Sequence, residues 1–94
     1  MFATVRSYAA SGGLVDALVE NESAVRELIS EIEGFRAYYI VRGEGGAAVS
    51  VSVFDDRAGA DESTRRAAEW VGENLPALSV SAPQVTAGEV AVTF

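Results

Sequence analysis

The sequence lacks the residues on which most enzyme chemistry near neutral pH is built. Its 94 residues include no histidine and no cysteine. Without histidine there is no ordinary general base at pH 7, and the commonest metal ligand is missing. Without cysteine, disulfides and thiol nucleophiles are excluded, and the redox compartment leaves no mark. Lysine is absent too, so all seven cations are arginine, set against 14 acidic residues for a net charge of −7. Such a chain has no basic footprint for phosphates, which argues against nucleic acid, and it does not suit an anionic membrane surface. No apolar run approaches the length needed to span a bilayer. The first residues, MFATVRSYAA, have no basic region followed by a long apolar run, so no signal peptide is expected. These absences predict a soluble, cytoplasmic protein.

The length predicts one domain over residues 1–94, burying about 60–65% of its unfolded surface, so partner surfaces would help. Met1 to Tyr8 alternates and predicts a first strand. Ser11-Gly12-Gly13 breaks the pattern, with Ser11 as a helix N-cap. Leu14, Leu18, Val25, Leu28, Ile29 and Ile32 recur at helical spacing, which predicts one long helix over 14–33. Gly34 falls where a left-handed C-cap is wanted, and Phe35 follows it. Residues 35–42 and 47–54 predict two strands joined by Gly43-Glu44-Gly45-Gly46. The register of that hairpin is open by one residue, so either Tyr38 or Tyr39 shares a face with Ser50. A second helix is predicted over 56–75, with Asp55 or Asp56 at its cap and Ala60, Thr64, Ala67, Ala68, Val71 and Leu75 as its inner stripe. Pro76 and Pro83 bracket a loop, and 84–93 is the fourth strand. The order β-α-β-β-α-β predicts a ferredoxin-like α+β fold: a four-stranded antiparallel sheet with two helices on one face.

Two helices cover only one face of such a sheet. The other is expected to carry Phe2, Thr4 and Tyr8, one of Tyr38 and Tyr39, and either the valines or the serines of the third strand. Neither alternating set from Ala47 to Phe54 carries a charge. An open apolar face of that size predicts a homodimer packed sheet on sheet about a two-fold axis. The alternative is a wet, weakly polar face on a monomer. If Arg6 lies on that face it needs a carboxylate or carbonyl partner, for which Glu89 is a candidate.

The stretch ISEIEGFRAYYIV, residues 29–41, resembles the I-P-G-F-x-x-Y-x-V passage of the antibiotic biosynthesis monooxygenase-like family. SVSVFDDRAGADESTRRAAEWV, residues 50–71, resembles that family's third strand, acidic turn and second helix. The resemblance extends to small actinobacterial proteins of the same dimeric α+β barrel superfamily that carry no assigned activity. It implies a homodimer whose two sheets form a barrel, with a ligand cleft in each subunit between sheet and helices. It also implies, for some members, oxygenation of aromatic polyketides, phenols becoming quinones, with no metal or flavin cofactor. Trp70 matches a tryptophan of those oxygenases. Arg66 stands one turn earlier, where they can carry asparagine, and Phe54 stands at a strand end where tryptophan is common. The missing histidine speaks against the haem-degrading relatives, which depend on an axial one.

The cleft candidates are therefore Trp70, Arg66, Tyr38, Tyr39, Phe54 and Arg6. Each has a plainer reading. Trp70 can stack on an aromatic ligand or fill a small core. Arg65 and Arg66 can hold an anionic ligand, or form i,i+4 pairs from Asp61 to Arg65, Arg65 to Glu69 and Glu62 to Arg66 on a solvated face. Tyr8, Tyr38 and Tyr39 can donate to a developing anion, or simply pack. Asp55, Asp56 and Asp61 match no cation loop and read as helix-capping acids. Ser50 and Ser52 have no histidine to activate them. Two functions stand: a protein that binds or oxygenates a small aromatic compound, or a non-catalytic dimeric binding or interaction module.

Overall fold

Segments that alternate valine with small residues suit a pleated surface, and the chain uses four strands of this general kind. The computed structural model describes residues 1–9, 13–78 and 82–94. Strands β1 (Phe2–Tyr8), β2 (Phe35–Arg42), β3 (Ala48–Phe54) and β4 (Gln84–Glu89) form one antiparallel sheet in the order β2-β3-β1-β4. Helices α1 (Leu14–Glu20), α2 (Glu22–Ser30) and α3 (Arg57–Asn74) complete a ferredoxin-like α+β fold. Among the described residues no helix is long and apolar enough to cross a membrane.

The predicted helix over 14–33 is in fact two. The Asn21 side chain donates to the carbonyl of Ala17 at 2.8 Å, and its own N–H donates to the same oxygen at 3.1 Å. An asparagine that turns back onto the preceding turn ends a helix, and α2 starts afresh as Val25 N–H donates to Asn21 O. The apolar spacing runs through the break, which hides it in the sequence. The Ser11 cap lies outside the described residues. Strand β4 stops at Glu89 rather than continuing to 93. The start of α3 is as expected: Asp56 caps it, accepting from Gly59 N–H at 3.2 Å.

A bulge settles the hairpin register. Phe35 pairs with Phe54 and Ala37 with Val53, so Arg36 is the extra residue. Phe35, Tyr38 and Ile40 then share the face beneath the helices, while Tyr39, opposite Val51, points to the open side.

The assignment of the two faces corrects the sequence-based expectation. The pairs Phe2–Phe54, Thr4–Ser52, Arg6–Ser50 and Tyr8–Ala48 all lie beneath the helices. Phe2, Thr4, Tyr8 and Arg6 are therefore on the covered face. The open face carries Ala3, Val5, Ser7, Tyr39, Val41, Val49, Val51 and Val53. The physical reason lies in α3, whose inner side is small and hydroxylated at Ala60, Ser63 and Thr64 and so offers acceptors to a buried arginine.

Two apolar clusters flank that polar middle. At one end Ile29, Ile32, Phe54 and Ala60 pack with Phe2, Val25, Leu28 and Phe35. Phe54 is 0% exposed and meets Phe35 edge to face at 5.8 Å. This end is cinched tight. Gly34 adopts φ +84 and its carbonyl accepts from Asp55 N–H at 2.8 Å. A Cβ on Gly59 would lie 2.8 Å from a Phe54 ring carbon and 3.0 Å from Glu33 O, so only glycine fits there. At the other end Leu14, Val15 and Ala48 pack with Tyr8, Leu18, Ile40 and Leu75.

Candidate functional site

Where α3 passes over the sheet its residues are small, and the space is not filled. A cavity of about 710 Å³ lies between the covered face and the helices. Arg6, Tyr8, Tyr38, Ile40 and Ser50 line it from the sheet, and Leu14, Leu18 and Ile29 from α1 and α2. Helix α3 contributes Thr64, Ala67, Trp70 and Val71, and the segment after it Pro76, Leu78 and Pro83. A second hollow of about 560 Å³ opens beside the edge strand β2 at Val19, Glu22, Arg26 and Phe35. The two share Leu18, Val25, Ile29, Tyr38 and Ile40, so Tyr38 stands at the waist between them.

Arg6 is the unusual residue. It is 3% exposed, yet forms no ion pair with any described carboxylate. Its Nη1 donates to Ser50 Oγ and Ser52 Oγ, both at 3.4 Å. Its Nη2 donates to Ser63 Oγ at 3.5 Å and to Thr64 Oγ1. The Ser63 and Thr64 hydroxyls themselves donate to Ala60 O at 2.8 and 3.2 Å, which leaves their oxygens free to accept from the guanidinium. The Nε is buried with no partner among the described residues. Glu89 is exposed and pairs across from Phe2, so it is not the counter-ion. Four neutral hydroxyls stand where a buried arginine ordinarily has a carboxylate.

Tyr8 and Tyr38 have phenol pKa values above the ordinary range. Burial is the main cause, and the positive charge of Arg6 works against it. Both are therefore protonated hydroxyl groups at neutral pH. They can donate a hydrogen bond, but they are not bases.

The other candidates fall outside the cavity lining. Arg66 bonds Glu62 at 2.9 Å, Glu31 at 2.7 Å and Leu28 O at 3.4 Å, which clasps α3 to α2. Arg65 pairs with Glu62 and Glu69 on the solvent side. These two arginines hold the Glu62 carboxyl at about 2, with the Arg65 hydrogen bond the larger cause. The expected Asp61–Arg65 pair is replaced by Asp61–Arg57 at 3.9 Å. Tyr39 is 59% exposed on the open face, and Phe54 belongs to the sealed apolar cluster. Trp70, Arg6 and Tyr38 do come together, each contributing to the cavity wall. Sequence reasoning had no place for the hydroxyl girdle of Ser50, Ser52, Ser63 and Thr64. Its signal was the pair Ser50 and Ser52, two residues apart on one face of β3, with the lone arginine of β1 opposite Ser50. Among the described residues no group of three or more acidic side chains forms a metal cage.

No protein-family model matches the sequence, and no curated protein matches it. Solved structures do match the fold. A dimeric ferredoxin-like protein from an uncultured marine organism superposes with a TM-score of 0.74 at 13% identity, over 99% of this chain and 95% of that one. A candidate antibiotic biosynthesis monooxygenase from Nitrosomonas europaea gives 0.73 at 11% identity, over 96% and 89%. The ActVA-Orf6 monooxygenase of Streptomyces coelicolor, solved with nanaomycin D, gives 0.72 at 19% identity, over 99% and 89%. The chain shares the ferredoxin-like fold of these proteins. At these identities the likeness fixes the fold, and the chemistry must be argued from this chain's own cavity.

Proposed function

We propose that the chain is a homodimeric protein that binds a small aromatic compound in the cavity between sheet and helices. The observation that carries this reading is the open cavity beside Trp70, walled by apolar side chains and by Tyr8 and Tyr38. Ligand sites are concave and mostly apolar, with a few convergent polar groups, and a cavity of several hundred Å³ suits a molecule of two or three fused rings. The open sheet face supports the dimer. Val49, Val51 and Val53 with Val5, Val41 and Tyr39 form a continuous apolar surface of a kind monomers rarely carry.

Trp70 is the only tryptophan, so its emission reports on the cavity alone. Titration with 1-naphthol should quench it saturably, and Ala67→Leu, which extends a side chain into the cavity, should abolish the quenching. Quenching that never saturates, or that survives Ala67→Leu, would place the probe elsewhere.

A second reading is oxygenation without metal or flavin, a phenol and dioxygen giving a quinone and water. What favours it is the shared fold with a monooxygenase whose structure holds nanaomycin D. Against it, no carboxylate or histidine is among the described residues that line the cavity, to take the phenol proton. Oxygen uptake with 1-naphthol as the trial phenol distinguishes the two: binding without uptake supports the binding module, and stoichiometric uptake supports the oxygenase.

A further inference from the structure

Among the described residues the cavity wall contains a positive charge and no negative one. Arg6 is the only charged residue of the described lining, with Tyr8 and Tyr38 the only other titratable groups. From α1 and α2 only apolar residues face it, and from α3 the one polar side chain besides the Trp70 indole is Thr64. A guanidinium has five N–H donors. Four point to neutral hydroxyls, three of these bonds at 3.4–3.5 Å, the outer limit of N–H···O contact, and the fifth donor, on Nε, has no partner among the described residues. Such a group is held in place but poorly neutralised. An oxyanion is the acceptor a guanidinium prefers, because it adds charge attraction to the hydrogen bond and can accept two parallel N–H donors. Removing this charge from water without a partner is costly, and a ligand that brought the missing negative charge would recover that cost on binding.

We propose that the cavity takes its ligand as an aromatic oxyanion, an aryl carboxylate or an ionised acidic phenol or enol, with Arg6 as its charge partner. This rests on the cavity-binding reading above and adds the charge state of the ligand. Arg6 acts as the recognition residue for charge, while Trp70 and the apolar walls accept the ring.

The test compares naphthalene-2-carboxylate with naphthalene-2-carboxamide, the same ring with and without the charge, by titration calorimetry on the intact protein at neutral pH. The carboxylate should bind on the order of tenfold to hundredfold more tightly. Arg6→Met should remove that preference, leaving carboxylate and carboxamide bound equally, and Arg6→Lys should restore part of it. A second probe is 4-nitrophenol, whose phenolate is yellow. Bound to the wild type it should turn yellow at lower pH than free in solution, and bound to Arg6→Met it should not. This arm separates the phenolate source from the carboxylate one, since a site open to a single oxygen shifts the nitrophenol and is indifferent to the carboxylate. If Arg6→Met does not fold, the two wild-type comparisons decide alone. Equal binding of carboxylate and carboxamide with an unshifted nitrophenol would overturn the inference and leave the cavity reading standing. Binding of no probe at all would overturn both.

Discussion

In the middle of the sheet the two faces are inverted relative to the usual rule. Beneath the helices lie Thr4, Arg6, Tyr8, Tyr38, Ser50 and Ser52, while the face turned away from them is built of Val5, Tyr39, Val41, Val49, Val51 and Val53. In a self-sufficient domain the valines would be inside and the serines outside. Here each face carries the residues that suit what meets it. Small hydroxylated side chains surround an arginine and leave room for a cavity, and a flat valine surface suits a second sheet. The lesson concerns polarity patterns: an alternation of apolar and polar residues identifies a strand without saying which side is the interior.

That contrast can be broken from either face. The largest effect should come from the open side. Val51→Glu places a charge at the centre of the valine surface, and burying an unpaired charge costs about 3–5 kcal/mol, enough to raise a dimer dissociation constant by a factor on the order of a thousand. Sedimentation should show dimer for the wild type and monomer for the variant. An unchanged dimer would mean that the copies meet elsewhere.

On the covered side the sealed end should be more sensitive than the hollow one. Phe54→Ala should cost about 3–5 kcal/mol of stability, read from the urea midpoint, because its 0% exposed ring is locked against Phe35 and Gly59. Arg6→Met, equally buried, should cost nothing and gain about 1 kcal/mol, since an apolar chain of similar length replaces a charge without a carboxylate partner. A large loss at Arg6 would show that the hydroxyl girdle neutralises it fully.

The smallest effect is on pH dependence. The folded-state pKa values of Tyr8 and Tyr38 are raised, so the stability they contribute is complete below the unfolded phenol value of about 10 and is lost as the pH climbs through their folded values. Absorbance titration should show their ionisation delayed until the protein unfolds, and Tyr38→Phe should remove one delayed proton.

The order of elements was legible in the sequence, because a period of two and a period near 3.6 survive any tertiary context. Three features were not. The choice of face was hidden because neither set of β3 carries charge. The phase of β2 was hidden because Arg36 is an extra residue in the ladder, and one bulge exchanges the roles of Tyr38 and Tyr39. The helix break was hidden because Asn21 interrupts the backbone without interrupting the apolar spacing. Of the site candidates, Trp70 was legible as a bulky residue on an otherwise small helix face. The Glu62–Arg66 pair follows from i,i+4 spacing, but the contacts of Arg66 with Glu31 and of Phe54 with Phe35 join residues distant in sequence, which no local pattern encodes.

The tight contact at Gly59 has a mechanical side. Helix α3 is clamped at its first turn, where Gly59 sits against Phe54 and Glu33 O, while its far end, from Ala67 to Gly72, lies over open space. It is a lever with its fulcrum at one end. At about 1.5 Å of rise per residue its 18 residues span about 27 Å. From Gly59 to Asn74 the arm is about 22 Å, so a tilt of about 5° at the clamp moves the far end by about 2 Å.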